Sequence, residues 1–594
     1  MKNFVKAGFF ICFWGLLFTL PCNAAGKKAT YKILLIDQGK NVHGNVEFDK
    51  TAAADEETVT IIITPKEGYT VNSLSVSTKK EEIPFKEVVK DKKYIFTMPK
   101  KDVNVSVGFK QIPVTSVVLS DSSFKIYVGE TKSLTATIEP ENAFDKSVNW
   151  SSNNTDIAIV ENGIVKALSK GNVIIKAECN GKYSDCNVTV RLPMVKPTDK
   201  VVYLPAGTNG TVGPEGSYVL FGDWPQTIKD DDVVIDESIT QEHGGFIYYA
   251  GDDGNWYVKC KEVFGFDSRG YGENDKYYQD NMYSNGSWSV FRYLKGKIEY
   301  WEGKLTVQNS KLIRTDELTW KTELTEKYFK VEPIKWRILN PNAKGNEKKI
   351  LLSEKILTGN IDYYGYKGWG ARITPSPANY SLSNIRSYLN SLPQNNTERL
   401  DSEGNKIKEA DTNIDWSGKG FLANAFTSSA QKLIAVTEVN NSYDYTIPSL
   451  LKPASDDYNL KQTMDNKSYG KTTKDKIFLL SLSELCKSEY GFTDLKQPWD
   501  SDSFKSRIGT DYSIANHAGG TTHSFSKQKN GEEKSSVIIT PSWWITRSPA
   551  PESPGEVFVV SSTGEINTSR KTTNSDYGVV IPFSYGIVPA LCLE

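Results

Sequence analysis

Two Asn-Gly steps, Asn162-Gly163 and Asn180-Gly181, each lie between short apolar runs. Such pairs accept the left-handed backbone that a two-residue hairpin requires, so the chain around them reads as antiparallel strands. The first joins Ile157-Ala158-Ile159-Val160 to Ile164-Val165, and the second brings Cys179 and Cys186 onto neighbouring strands. Upstream, Val103, Val105, Val107 and Phe109 alternate with Asp102, Asn104, Ser106 and Gly108. That period of two is the pattern of a half-buried strand. Tyr31 to Ile36 and Thr58 to Thr64 are further apolar runs, the latter stopped by Pro65 and Gly68.

At ~150 residues per domain, 594 residues predict about four units. Lys2 and Lys6 precede the uncharged apolar run Ala7–Phe18; Pro21 breaks it, and Asn23-Ala24-Ala25 supplies small residues. This is the secretory pattern, and residues 1–25 are expected to be a cleaved signal peptide. The run is shorter than the ~20 residues that span a bilayer. Thr19-Leu20-Pro21 is a poor lipobox, so a lipid anchor on Cys22 is not expected. No second apolar run follows, which predicts no transmembrane segment after cleavage. Lys+Arg 71 against Asp+Glu 72 leaves no basic field for nucleic acid. Cleavage would leave Cys179, Cys186, Cys260, Cys486 and Cys592. Their odd number leaves a thiol unpaired, with Cys179–Cys186 as the candidate disulfide and two buried thiols as the alternative.

The segment Tyr94-Ile95-Phe96-Thr97-Met98-Pro99-Lys100-Lys101-Asp102-Val103, with the earlier Gly68-Tyr69-Thr70-Val71-Asn72-Ser73-Leu74, resembles the internalin B-repeat-like family. The resemblance implies a β-grasp-like spacer over 29–111. Val128-Gly129-Glu130-Thr131, Val148-Asn149-Trp150-Ser151-Ser152, the Asn162-Gly163 hairpin and Cys186-Asn187-Val188-Thr189-Val190 are similar to the bacterial immunoglobulin-like domain, group 2. That implies a β-sandwich spacer over 112–192. Residues 193–197, with two prolines, form a stiff linker.

Residues 198–594 hold eleven of the thirteen Trp. Leu382, Ile385 and Leu389 repeat at helical spacing behind cap candidates Ser381 and Ser383. Phe426, Ala430, Leu433 and Ile434 suggest a second apolar face. Ser481-Leu482-Ser483-Glu484 reads as a capping box, with Gly491 as a stop. β-rich runs at Tyr218–Phe221, Ile350–Leu352 and Ile477–Leu480 lie between them, so the class expected here is α+β. Phe221-Gly222-Asp223-Trp224-Pro225-Gln226, Ile334–Leu339 around Trp336, Asn384–Asn390 with Arg386, Asp475–Ser481, Trp543-Trp544-Ile545-Thr546-Arg547-Ser548-Pro549 and Tyr585–Leu591 together resemble a bacterial domain family of unknown function. Trp224, Trp336, Arg386, Trp543, Trp544 and Arg547 carry that signature, and structural roles are expected for them. Its Trp-rich element is similar to C-type-lectin-like and formylglycine-generating-enzyme cores, an analogy of fold alone. Stretches near 228–328, 395–418 and 438–470 read as insertions, rich in residues that favour surface loops.

No CxxC zinc ribbon, GxSxG elbow or phosphate-cradling P-loop occurs. His517 and His523 match no zincin spacing, and His43 and His243 fall in separate domains. Asp230-Asp231-Asp232 and Asp252-Asp253-Gly254-Asn255 lack the spacing of a calcium loop. Neither a metal nor a cofactor is therefore expected. A glycosidase carboxylate pair hidden in the insertions stays open. In Asp362-Tyr363-Tyr364-Gly365-Tyr366-Lys367-Gly368-Trp369, rings among glycines are hard to bury, and Tyr363, Tyr364, Tyr366 and Trp369 are the candidate ligand contacts. The expectation is a secreted or cell-surface recognition and adhesion protein, its spacers presenting a C-terminal domain to a glycan or a host or matrix protein. The alternatives are an extracellular glycan-acting hydrolase and a structural envelope protein.

Overall fold

The structure, a computed structural model, describes residues 28–36, 43–205, 217–262, 276–294, 297–308, 311–314, 323–359, 361, 363, 379–393, 406, 414–441, 472–492, 504–516, 543–549, 557–568 and 585–594. Its contacts divide the chain into two units, Met1–Arg191 and Leu192–Glu594. Among the described residues no helix is long and apolar enough to cross a membrane.

The first unit begins with two four-stranded sheets. In one, Ala52–Ala54, Thr30–Leu35, Val103–Gln111 and Tyr69–Ser77 lie in that order, the middle two parallel. In the other the order is Gly44–Phe48, Thr58–Pro65, Lys93–Thr97, Phe85–Val89. The alternation seen in sequence is realised: Val103, Val105 and Val107 turn inward onto Ile61, Ile63, Phe96 and Met98. Burying each such side chain stabilises by about 1.5–3 kcal/mol, before the entropy of ordering is counted.

A second set of strands follows within the same unit. Ser123–Tyr127, Lys182–Arg191, Gly171–Cys179 and Asn149–Ser152 form one sheet; Thr131–Ser133, Ile164–Ala167 and Ala158–Glu161 form another; Ala136–Glu139 pairs with Ser116–Leu119. Both Asn-Gly steps make the turns their chemistry demands, with φ of 49° and 80° at Asn162-Gly163 and 52° and 76° at Asn180-Gly181. At Gly163 a Cβ would stand 2.4 Å from the Leu134 carbonyl, so glycine is required twice over. Trp150 is half-buried and touches two core clusters.

Of the two readings for Cys179 and Cys186, the disulfide is absent and the buried thiols are found. Cys186 lies opposite Ile175 and Cys179 opposite Lys182, so the two cysteines are offset by four residues, about 13 Å of strand. A disulfide tolerates no more than ~7 Å between Cα atoms. Both thiols are free and buried, each in its own core cluster, and desolvation raises both pKa values.

The Leu192–Glu594 unit is built on a nine-stranded sheet. Its main path runs Ile235–His243, Phe246–Gly251, Trp256–Lys261, Glu326–Ile338, Lys349–Ser353, Ala590–Leu593, Ile477–Phe478, and Tyr218–Ile228 pairs with Glu326–Ile338 and with Val202–Tyr203. An inserted antiparallel meander, Lys276–Met282, Ser287–Leu294, Lys297–Gln308 and Lys311–Arg314, forms its own sheet, as do Trp544–Pro549, Val557–Val560 and Ile566–Thr568. Among the described residues this unit is β-rich and does not bear out the expected α+β class: the longest described helix, Asn384–Asn390, has 7 residues. Ser383 caps it by accepting from the Arg386 N–H, and Ser391 ends it in the left-handed region. The Ser481–Glu484 capping box is complete, and Gly491 closes the short helix Ser488–Tyr490. The second helical face fails: Phe426 is extended, Ala430–Leu433 is a single 3-10 turn, and Leu433 is exposed. The sheet order does not establish a C-type-lectin-like core.

Candidate functional site

The signature residues lie inside the fold. The Trp224, Trp336 and Trp544 rings are fully buried, and each indole N–H donates to a distant carbonyl: Leu357 at 2.8 Å, Phe221 at 2.7 Å and Lys505 at 2.9 Å. Trp543 is partly buried against the same core. Arg386 donates from Nε and Nη2 to the Asp475 carboxylate, at 2.9 and 2.8 Å, and from Nη1 to the Ser381 carbonyl. Arg547 donates from Nη1 to Glu484 at 2.7 Å and to the Leu479 carbonyl, and from Nε to the Asn440 carbonyl. Burial raises the Glu484 pKa, but the Arg547 charge and the Ser481 hydrogen bonds outweigh it and hold the carboxyl below its ordinary value. Every one of these polar groups is spent on holding segments together.

The aromatic loop is only partly described. Tyr363 is buried, its hydroxyl donating to the Arg547 carbonyl at 3.4 Å and its own carbonyl accepting from the Asn384 N–H at 2.9 Å. It is a core residue, which corrects its assignment as a ligand contact. Tyr364, Tyr366 and Trp369 lie outside the described residues, as do His517 and His523. His43 stacks on Tyr69 at 4.2 Å between ring centroids. The acidic runs build turns: Asp252 accepts from the Val234 N–H, and Asp253 from the Asn255 N–H and the Tyr257 hydroxyl. Among the described residues no group of three or more His, Cys, Asp and Glu is placed to hold a metal ion.

A carboxylate pair does lie at the inserted meander. Glu262 and Glu302 both accept from the Tyr300 hydroxyl, at 2.7 and 2.8 Å, and Lys327 Nζ lies 3.6 and 2.9 Å from them. A glycosidase needs one acid held protonated near neutral pH. Glu302 has moved the other way: the hydrogen bonds from Lys327, Thr325 and Tyr300 outweigh desolvation and lower its pKa to about 2.

The candidate binding site is a small cleft beside the main sheet. A register shift between Leu220 and Asp223 marks a bulge, with Gly222 at φ 70°. A Cβ there would meet the Phe426 ring at 2.4 Å. Bulges re-aim the side chains that follow; here Trp224 enters the core and Asp223 lines the cleft. Asp223 accepts from the Thr198 N–H at 2.6 Å and from its hydroxyl at 2.8 Å. That pins the segment after the linker, and the Val195 N–H donates to the Gly254 carbonyl at 2.8 Å. Val195, Lys196 and Pro197 therefore make one wall, and Gln241, His243, Tyr248, Trp256, Val331, Ala425 and Thr427 make the rest. The cleft's water-accessible volume of ≈ 30 Å³ admits one or two waters or the tip of a larger group.

Two aromatic rings stand over this space, Tyr248 and Trp256, with centroids 6.4 Å apart; the His243 ring is 5.8 Å from Tyr248. Among the described residues the side-chain polar groups of Lys196, Gln241, His243 and Trp256 have no hydrogen-bond partner, and all four face the cleft. Desolvation lowers the His243 pKa below its ordinary value, against the pull of Asp223 and Asp199. Burial raises the pKa of Asp223, against its bonds from Thr198. Sequence reasoning missed this site, because its members are spread from Lys196 to Thr427 and no motif joins them. The one available signal was that Gln241, His243 and Trp256 fall in a stretch already read as an insertion.

Comparison with known proteins bears on the modules more than on the cleft. An uncharacterized protein of Clostridium acetobutylicum is 39% identical over 80 residues, covering 13% of this chain and 8% of that protein. A second from the same organism is 37% identical over 101 residues, 16% of this chain and 25% of that protein. A 3-O-alpha-D-galactosyl-alpha-L-arabinofuranosidase of Bifidobacterium longum subsp. longum is 37% identical over 81 residues, 13% of this chain and 7% of its own. The chain thus spans a quarter or less of each of these relatives. Among solved structures, surface layer protein SbsC, domains 4–9, matches 44% of this chain and 47% of its own at 11% identity and a TM-score of 0.15. The extracellular domains 3–5 of Drosophila OTK match 46% of this chain and 93% of theirs at 10% identity and a TM-score of 0.13. Residues 38–113 match the divergent InlB B-repeat domain, residues 113–182 the bacterial Ig-like domain (group 2), and residues 346–594 a domain of unknown function, DUF6273.

Proposed function

We propose that this chain is an exported surface protein whose C-terminal domain recognises a ligand without transforming it. The B-repeat and Ig-like matches support a multidomain surface protein, and the two β modules act as spacers. The observation that carries the recognition reading is the cleft: two aromatic rings beside four side chains whose polar groups are uncommitted. Polar side chains converging on one concavity are what a ligand would use. Trp256, only partly buried, offers a ring at the cleft edge for contact with a sugar or a protein side chain, and Gln241, His243 and Lys196 supply direction. The ligand class is a glycan or a host or matrix protein, a small part of which enters the cleft.

The test is a screen of the full chain on an array of glycans and matrix proteins, repeated with Trp256→Ala and His243→Ala. Loss of a specific hit by more than about tenfold, roughly 1.4 kcal/mol, in both variants with folding intact supports the cleft. Equal binding by all three proteins removes it as the site. Tyr366→Ala and Trp369→Ala belong in the same screen, since loss confined to them returns recognition to the aromatic loop.

A further inference from the structure

Glu262 is fully buried where the inserted meander meets the main sheet, and its carboxylate touches two groups of complementary reactivity. The Asn281 side-chain amide donates to Glu262 Oε1 at 3.1 Å, and Lys327 Nζ lies 3.6 Å from Oε2. Asn281 lies on the meander strand Lys276–Met282, and Lys327 on the main-sheet strand Glu326–Ile338. The surroundings are aromatic. The Tyr283 hydroxyl donates to Glu262 Oε1 and that of Tyr300 to Oε2, and Lys327 Nζ lies 5.7 and 5.8 Å from the two ring centroids. Asn281, Tyr283 and Tyr300 are buried, and the Lys327 side chain is 11% exposed.

We propose that Lys327 and Asn281 form an intramolecular isopeptide bond, with Glu262 as the proton carrier. An amine, a carboxamide and a carboxylate that touches both are the full set of groups this condensation needs. Lys327 first passes a proton to Glu262, which leaves a neutral amine able to act as a nucleophile. The freed Nζ attacks the Asn281 carboxamide carbon, and a C–N bond forms. Glu262 then returns that proton to Nδ2, the Cγ–Nδ2 bond breaks and ammonia leaves; the second proton that Nζ sheds as it becomes the amide nitrogen passes through Glu262 to the ammonia, which departs as ammonium. One ammonium side chain and one carboxamide become one secondary amide and one ammonium ion. No oxidant, metal or cofactor enters the balance. Glu302, 2.9 Å from Lys327 Nζ, acts as a positioning residue that holds the lysine in the site. The product would fasten the meander covalently to the main sheet in a chain whose described cysteines are all free.

The experiment is mass spectrometry of the folded full-length protein digested with trypsin. The expected result is one branched peptide joining Tyr277–Arg292 to Thr322–Lys330, with its mass short by one ammonia relative to the sum. Lys327→Arg keeps the charge and length but not the nucleophile, and Glu262→Gln keeps the size but not the proton acceptor. In each, the branched peptide is expected to vanish and the unlinked Asn281 peptide to appear at full mass. Two separate unlinked peptides from the wild-type protein overturn the proposal. A branched peptide that persists in Glu262→Gln overturns the role given to Glu262.

Discussion

The Met1–Arg191 and Leu192–Glu594 units solve the same problem, closing β-sheets over a core, with different chemistry. In the first, the core is aliphatic and aromatic, and among its described residues only Thr78 and Arg191 are buried polar groups. Some of its strands pair through tight turns, as at Asn180-Gly181, and others across the unit, as Thr30–Leu35 does with Val103–Gln111, and alternation decides which side chains go inward. In the second, Arg386, Asp475, Arg507, Asp511 and Arg547 are all part of the interior or its margin, and tryptophan N–H groups reach carbonyls more than a hundred residues away in two of three cases. The difference teaches that the first unit closes its sheets on side-chain pattern, whereas the second adds buried directional ties where its segments meet. Those ties are costly if left half made.

The comparison breaks most sharply at Arg547. Arg547→Met keeps the bulk but strands Glu484 and the Leu479 and Asn440 carbonyls without their donor. Removing one partner of a buried pair costs about 3–5 kcal/mol. The expected outcome is that loss in the tryptophan-monitored denaturant transition, since the C-terminal unit holds nearly all the tryptophan. A loss near that of an exposed pair, below about 1 kcal/mol, would mean the buried ties are incidental. Acid probes the same joint. The folded pKa of Glu484 is lowered, so its contribution is present above the unfolded glutamate value of ~4.3 and is lost as pH falls from there through the folded value. Asp223 and Asp511 carry raised pKa values and work in the opposite direction. Transition midpoints from about pH 6 to about pH 3 should therefore fall more steeply in the wild type than in Glu484→Gln. Parallel curves would show that the pair does not govern acid stability.

This division also explains what could be read from the sequence. The Asn-Gly turns, the Val103–Phe109 alternation, the Ser383 cap and the Ser481–Glu484 capping box are all local, with cause and effect a few residues apart. The ties are not local: Arg386 to Asp475 spans 89 positions, Trp224 to Leu357 spans 133, and the Ile228 N–H to Asp511 spans 283. Nothing in the residue types beside Trp224 says which carbonyl will meet it. Tyr363 shows the same gap: among glycines its ring reads as exposed, yet the Asn384 N–H and the Arg547 carbonyl draw it into the core. The cleft was hidden for this reason too, since a bulge at Gly222, a strand end at His243 and a helix end at Ala425 meet only after folding.

Smaller changes sharpen the contrast. Trp336→Phe deletes the indole bond to the Phe221 carbonyl and part of a fully buried ring. The orphaned carbonyl and the cavity together should cost about 2–3 kcal/mol in the C-terminal transition. Ile175→Val in the N-terminal unit should cost less, about 1 kcal/mol, although Ile175 is also fully buried. It removes one methylene opposite Cys186 and strands no polar group, and the flanking Val173 and Val188 can close on part of the space. Differential scanning calorimetry of the full chain can follow the first unit's transition apart from the second's. If Ile175→Val costs as much as Trp336→Phe, tight packing alone accounts for both cores, and the distinction drawn between pattern and directional ties does not hold.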